Sequence, residues 1–417
     1  MRLQLSLSRL VAGLAVAGCL GLGLVTPAHA ENKFDLTTSY FLEPGKATTL
    51  HVIRPEVDIS GDAAKWLTLR AGYDVDIVAG ATPRIYGSGM DAVSSATSFA
   101  DYRHSAHAGA ELRIGPTSLD VNYTFGSEND YRSHSIDATA KVDLWGKNTT
   151  FKLGYSHNWD TVCDADNRGA APLERHALSS SKGCFDSKAV GLTTQSLSVD
   201  SYFAAWSQVL SPIATSDLSL TMQSLNGFQS NPYRLVRLFG STVDAQESEP
   251  TLRQRMAAQL RLRFAIKKVR AAFGVLGRYY WDTWAIQSAT VEVTWDQYLS
   301  QKLIIRFRGR FYQQSRALFY RDAGEALSYE TVGPVGQYFT GDRELSPFRN
   351  WLVGIKLSWT KNANEKGKIA KVFEALDLNA KCDLMFYEAL TPLPPNSQRL
   401  LSPINAIILQ LGLTLRW

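Results

Sequence analysis

Four cysteines in 417 residues are too few to build a disulfide-stapled scaffold, and one of them, Cys19, lies in what reads as a leader. After residue 30 there is no run of about eighteen apolar residues, which excludes a membrane-crossing helix. Charge of one sign is lacking too. Lys+Arg number 44 against Asp+Glu 39, and setting aside Arg2 and Arg9 of the leader narrows the gap further. A balance this even leaves no electrostatic footprint for nucleic acid. Also missing are a phosphate-cradling glycine loop, a nucleophile elbow and any spacing that gathers metal ligands; His104, His107, His134 and His157 are scattered. Asp74, Asp76 and Asp91 border a glycine-rich stretch but lack the ligand spacing of a calcium loop. No catalytic set, cofactor motif or metal motif can be assembled, so the chain reads as a non-enzyme.

What the chain does have is alternation. From Ile407 the odd positions Ile407, Leu409, Leu411, Leu413, Leu415 and Trp417 are apolar, while Gln410, Gly412, Thr414 and Arg416 are polar or small; only Ile408 breaks the pattern. Side chains of a strand point to opposite faces with period two, so this strand has one greasy face and one wet face. A soluble edge strand can share that pattern, but a terminal strand ending on an aromatic residue is the habit of outer-membrane barrels. A hydrophobic content of 45% agrees, because lipid-facing and lumen-facing residues average out.

Residues 1–30 read as a cleaved signal peptide: Arg2 and Arg9, an apolar run from Leu10 to Val25, and the small-residue site Ala28-His29-Ala30 before Glu31. Val16-Ala17-Gly18-Cys19 offers lipidation at Cys19 as an alternative, but the apolar run continues well past it. Residues 31–417 then read as one domain. Strand follows strand from Phe34 to the C-terminus, with short turns alternating with longer polar loops such as Ala79 to Ser98, Thr161 to Ser187 and Gly227 to Pro250. That rhythm predicts an all-β, transmembrane, antiparallel up-and-down β-barrel of about sixteen strands, within roughly fourteen to eighteen. A polar helix is expected within Asn362 to Glu374 and a Pro-rich loop over Thr391 to Pro403. A soluble β-sandwich or solenoid is the competing architecture.

The most informative constellation is a basic ladder. Arg306, Arg308 and Arg310 oppose Leu303, Ile305, Phe307 and Phe311 on one strand. Arg253, Arg255, Arg261 and Arg263 do the same on a strand read over Arg253 to Ile266, and Arg270 and Arg278 on one read over Val269 to Ile286. Arginine is costly on a lipid face, so these side chains are expected inside. Rings of cationic side chains favour anionic solutes. The bland alternative is that acids neutralise them, with Glu292 and Asp296 placed to do so. Cys163 and Cys184 share one polar segment and pair as a disulfide in an oxidising compartment, leaving Cys382 as a small apolar side chain.

Four patches together resemble an uncharacterised family of Gram-negative outer-membrane β-barrel proteins, recorded as a domain of unknown function. They are Tyr73-Asp74-Val75-Asp76 with Ala79 to Pro83, Asp91 to Thr97 and Arg103; Asn231-Pro232-Tyr233-Arg234 with Pro250, Arg253 and Arg255; Arg278 to Trp284; and Arg308 to Arg310 with Tyr312 to Ser315 and Ala317 to Tyr320. The chain departs from the family at Ala79, where a serine is expected, and at Ser95, where a glycine is. The resemblance implies a membrane barrel and no established activity. It also carries an association with small envelope lipoproteins and with thioredoxin-like or flavin-attaching envelope proteins. The function expected is a channel or binding barrel, set in outer-membrane lipid, for a small anionic solute. The alternatives are a plugged structural or assembly barrel whose loops bind an envelope partner, and an outer-membrane hydrolase.

Overall fold

A computed structural model describes residues 32–44, 49–79, 101–178, 183–185, 191–237, 244–320, 338–362, 373–390 and 405–417. The signal-peptide reading, the glycine-rich stretch at 80–98, the core of the expected polar helix at 363–372 and the Pro-rich loop at 391–403 lie outside these residues. Eighteen strands are present among the described residues. They are β1 (Lys33–Glu43), β2 (Leu50–Ala64), β3 (Leu67–Ala79), β4 (Asp101–Ile114), β5 (Thr117–Ser127), β6 (Tyr131–Leu144), β7 (Thr149–Ala165), β8 (Leu192–Ser211), β9 (Ala214–Gly227), β10 (Leu235–Arg237), β11 (Asp244–Gln246), β12 (Leu252–Ile266), β13 (Ala271–Asp282), β14 (Gln287–Tyr298), β15 (Leu303–Gln314), β16 (Phe348–Asn362), β17 (Ala375–Ala389) and β18 (Ala406–Arg416).

All but β10 and β11, which pair only with each other, form one closed antiparallel barrel of sixteen strands. Neighbours in the barrel are neighbours in sequence, except where β9 passes to β12 and where β1 meets β18. That last pairing runs from Lys33 opposite Arg416 to Leu42 opposite Ile407 and leaves no open edge. The sixteen-strand expectation and the up-and-down order are therefore met.

The tightest turns and both described ends lie at one end of the barrel. Lys65-Trp66, Gly115-Pro116 and Pro212-Ile213 make the tightest reversals there, with Gly115 at φ +59° in the left-handed region. The connections after β3, β7, β9, β15 and β17 are the longest and share the opposite end. The loop read over Gly227 to Pro250 also holds the short strands β10 and β11, and one expected strand is contradicted. Residues 269–286 do not form a single strand: Val269 and Arg270 belong to the turn before β13, with Arg270 at φ +52°, and residues 283–286 form a second turn. Arg270 is exposed in that turn and is not a rung of the ladder.

The register puts one parity of every strand outside. Leu411, Val353 and Leu153 are 65%, 59% and 66% exposed, in a belt that also holds Leu69, Val121, Leu220, Leu260, Val291 and Phe307. Towards the long-loop end the outer surface turns amphipathic. Tyr40 is hydrogen-bonded to His51 at 2.7 Å, Tyr73 to His104 at 2.6 Å and Tyr123 to His134 at 2.7 Å, the arrangement of an interfacial girdle. Cys382 shares the outward parity with Leu378, Leu384 and Phe386. At the strand ends, Cys163 of β7 is disulfide-bonded to Cys184, tying the β7–β8 connection to the barrel.

If the belt matches bilayer hydrocarbon, a guanidinium in its middle is penalised. Val353→Arg is expected to lower unfolding stability by about 2–4 kcal/mol in phospholipid vesicles, read by urea titration of the refolded barrel.

Candidate functional site

The inward parity of β12 to β17 carries the ladder. One cross-strand row runs Arg263, Gly274, Thr294, Arg308, Gly354, Asp383. The next towards the long-loop end runs Arg261, Leu276, Glu292, Arg310, Leu352. Hydrogen bonding between neighbouring strands fixes these rows, and the pleat turns all their side chains to the same side. Gly274 and Gly354 hollow the wall between the long side chains. The resulting cavity, about 300 Å³, is lined by Arg261, Arg263, Arg306, Arg308, Lys356 and Lys381 against two acids, Glu292 and Asp383.

Some of these charges are neutralised. Arg306 grips Asp296 side-on, Nε to Oδ1 at 2.5 Å and Nη2 to Oδ2 at 2.8 Å. Arg308 donates to Asp383 at 2.5 Å, Lys381 lies 3.0 Å from the same carboxylate, and Glu292 stands 3.9 Å from Arg308. Asp383 is almost fully buried, and a Cβ on Gly354 would collide with its carboxylate, so that glycine makes room for the shared counter-ion. Asp296 is thus the partner of Arg306, and Glu292 stands off Arg308 at the longer distance. Asp383, Lys356 and Lys381 were missed. They lie on β16 and β17, beyond the strands read as the ladder, and the registers of β15 with β16 and of β16 with β17 bring them alongside.

Other rungs have no counter-ion. Among the described residues Arg255, Arg261, Arg263, Arg278, Arg310 and Lys356 form no ion pair within 4.0 Å. The Nε atoms of Arg255 and Arg310 are buried without a hydrogen-bond partner. Arg253 is different. Its Nε and Nη2 both donate to Asp282, at 2.9 and 2.6 Å, and its guanidinium lies 4.1 Å from the Trp284 ring centre. Asp282 also accepts from Tyr280 and from the backbone N–H groups of Trp284 and Ile286. The Arg278-to-Trp284 patch is therefore a turn clamp; breaking so buried a pair costs about 3–5 kcal/mol.

Above this clamp the long connections are knitted together. Arg234 reaches Asp342 at 2.5 Å and Glu247 at 3.2 Å, and Thr340 donates to Glu247 at 2.8 Å. Gln246 donates to Asp164 at 2.9 Å, Tyr233 to Asp130, and Trp284, Phe319, Tyr320 and Leu345 form a buried apolar cluster. Burial pushes the Glu249 carboxyl well above the ordinary glutamate range, and the neighbouring Glu247 and Asp342 carboxylates push it the same way. Burial also raises Glu247, against the pull of Arg234.

The other wall is mixed in charge. Arg54 pairs with Asp74 at 3.2 Å and lies 3.7 Å from Asp76, Arg70 pairs with Asp120, and His107 lies 3.0 Å from Asp58. Asp74 and Asp76 are thus partners of an arginine; Asp91 lies outside the described residues. His157 faces outward, 2.8 Å from Asp200.

A closed antiparallel barrel with an apolar outside and a charged inside defines a β-barrel of the outer-membrane type. The chain belongs to a family of proteins of unknown function, DUF3570, matched over residues 10–379. Among solved structures it is similar to a bacterial polysaccharide outer membrane secretin, with 10% identity and TM-score 0.47, over 94% of this chain and 100% of that one. It is also similar to Pseudomonas aeruginosa OccK2 (OpdF), crystallised with glucuronate, with 7% identity and TM-score 0.40, over 93% of this chain and 98% of that one. A third similarity is to P. aeruginosa OpdK with vanillate, with 8% identity and TM-score 0.41, over 93% and 98%. No curated protein matches the chain.

A carboxyl whose folded pKa is raised stabilises the fold while protonated and loses that contribution as pH rises through the raised value. Hydrogen exchange of the described amides in residues 244–251, corrected for its intrinsic pH dependence, should therefore lose protection as pH climbs from the ordinary glutamate value of 4.5. Glu249→Gln should flatten that profile.

Proposed function

We propose that this barrel sits in the bacterial outer membrane and binds or passes small anionic solutes through its arginine-rich lumen. The observation that carries the reading is the surplus of cation in the cavity: among the described residues Arg261, Arg263 and Lys356 line it without a carboxylate partner, beside the neutralised Arg306 and Arg308. A wall built only to be a sealed scaffold gains nothing from crowding unpaired like charges on one face, where they repel one another. Lining a water-filled space, the same groups raise the local concentration of anions and lower the barrier to their entry. In the orientation that follows, both described ends and the tightest turns face the periplasm, and the knitted connections face outward. Outer-membrane lipid contacts the apolar belt. No residue is assigned a catalytic role.

The interlocked loops favour a second reading, in which the long-loop end is closed and presents a surface to an envelope partner such as a lipoprotein. The Arg234, Glu247 and Asp342 cluster is what holds that end together. Both readings use the same barrel and differ in whether solute crosses.

Planar-bilayer conductance under a salt gradient separates them. The channel reading expects steady current with a reversal potential on the anion side, moving towards neutrality in an Arg261→Ala, Arg263→Ala, Lys356→Ala variant. A folded barrel without current removes the channel and leaves the closed one.

A further inference from the structure

The inward surface of an outer-membrane barrel is expected to be polar, and part of this one is not. Ile408, the residue that breaks the alternation of the last strand, faces the interior together with Phe41, Leu352, Met385 and Ala406. Leu352 and Met385 are 2% and 6% exposed, while Phe41 and Ile408 remain partly open. Leu352 sits directly across from Arg310 in the strand register. One row towards the long-loop end, Tyr312 packs on Phe348 at 5.5 Å between ring centres, and Phe348 on Tyr387 at 4.9 Å. An apolar shelf therefore begins beside Arg310 and runs across β16, β17 and β18 to β1.

Arg310 is the rung with an unsatisfied donor at that point, among the described residues. Glu292, opposite it in the register, stands near Arg308 instead, and the buried Nε–H of Arg310 has no acceptor. The same wall shows what its arginines do with a carboxylate: Arg306 binds Asp296 through Nε and Nη2 together. A planar carboxylate satisfies that edge with two oxygens, whereas chloride offers one point of charge.

Resting on the anion reading above, we propose that the preferred solute is an organic carboxylate with an apolar body. Its carboxylate is held on the Nε/Nη edge of Arg310, and its hydrocarbon lies along the shelf towards Ile408 and Phe41. The charge alone would admit any small anion; the shelf is what discriminates. Each methylene laid against it adds affinity without altering the charge interaction.

The test is calorimetric titration of the refolded barrel in lipid nanodiscs, with empty discs subtracted, using acetate, hexanoate and inorganic phosphate. Acetate and hexanoate share a head group and differ by methylenes alone, so their ratio reads the shelf. Hexanoate is expected to bind about tenfold or more tighter than acetate. Arg310→Gln should remove binding of both, and Ile408→Thr should narrow the gap between them. Arg310→Lys, which keeps the charge and loses the fork, should weaken both and serves if the glutamine variant does not fold. Equal binding of acetate and hexanoate, tighter binding of phosphate than of either, or hexanoate binding that survives both Arg310 variants would overturn the proposal. Anion selectivity in the bilayer together with equal binding sinks this inference and leaves the anion reading standing. Loss of anion selectivity and of acetate binding sinks both.

Discussion

Closure of the hydrogen-bonded ladder between β1 and β18 is the constraint on which everything else depends. In hydrocarbon each unpaired backbone group costs several kcal/mol, so a sheet survives there only without edges. Closure then forces each strand to have an inside and an outside, and the two-residue pleat distributes every side chain between them. Apolar residues collect outside because lipid accepts them. Charges collect inside because nothing outside will solvate them. The arginine wall is thus a consequence of closure before it is a device for function.

Inside, the wall divides by what each arginine finds opposite. Asp282, Asp296 and Asp383 settle Arg253, Arg306 and Arg308 into fixed geometry, and those residues hold the turn clamp and the cavity in shape. Arg255, Arg261, Arg263, Arg278 and Arg310 are held by their strands with no such partner. A paired guanidinium is structure; an unpaired one facing a hollow is available to a solute. Glycines at 274 and 354 create that hollow by removing side chains from the row.

The long-loop end follows a different logic. There the chain leaves the ladder and must satisfy its polar groups by cross-connection, which it does through buried carboxylates around Arg234, while the disulfide of Cys163 and Cys184 adds a covalent tie. Burying several acids near one cation leaves their protonation sensitive to surroundings, as the raised Glu247 and Glu249 carboxyls show.

Alternation along β18 and the parity of Arg306, Arg308 and Arg310 carried the barrel class and the sidedness of the ladder, because a period-two pattern is local and needs no partner to be read. Strand number followed from turn rhythm for the same reason. Arg270 was misassigned because a turn residue next to an alternating run looks like its continuation until the backbone is seen to enter the left-handed region. Ile408 showed only as a break in the alternation; its meeting with Leu352 and Phe41 in an inner apolar shelf, and the meeting of Arg308 and Lys381 on Asp383, had no signal in the chain. Their neighbours come from strands far apart in sequence, from β1 to β18. The sequence by itself determined which face each residue would take; the closed register alone decided which residues meet across it, because pairing is a property of strands and not of any one of them.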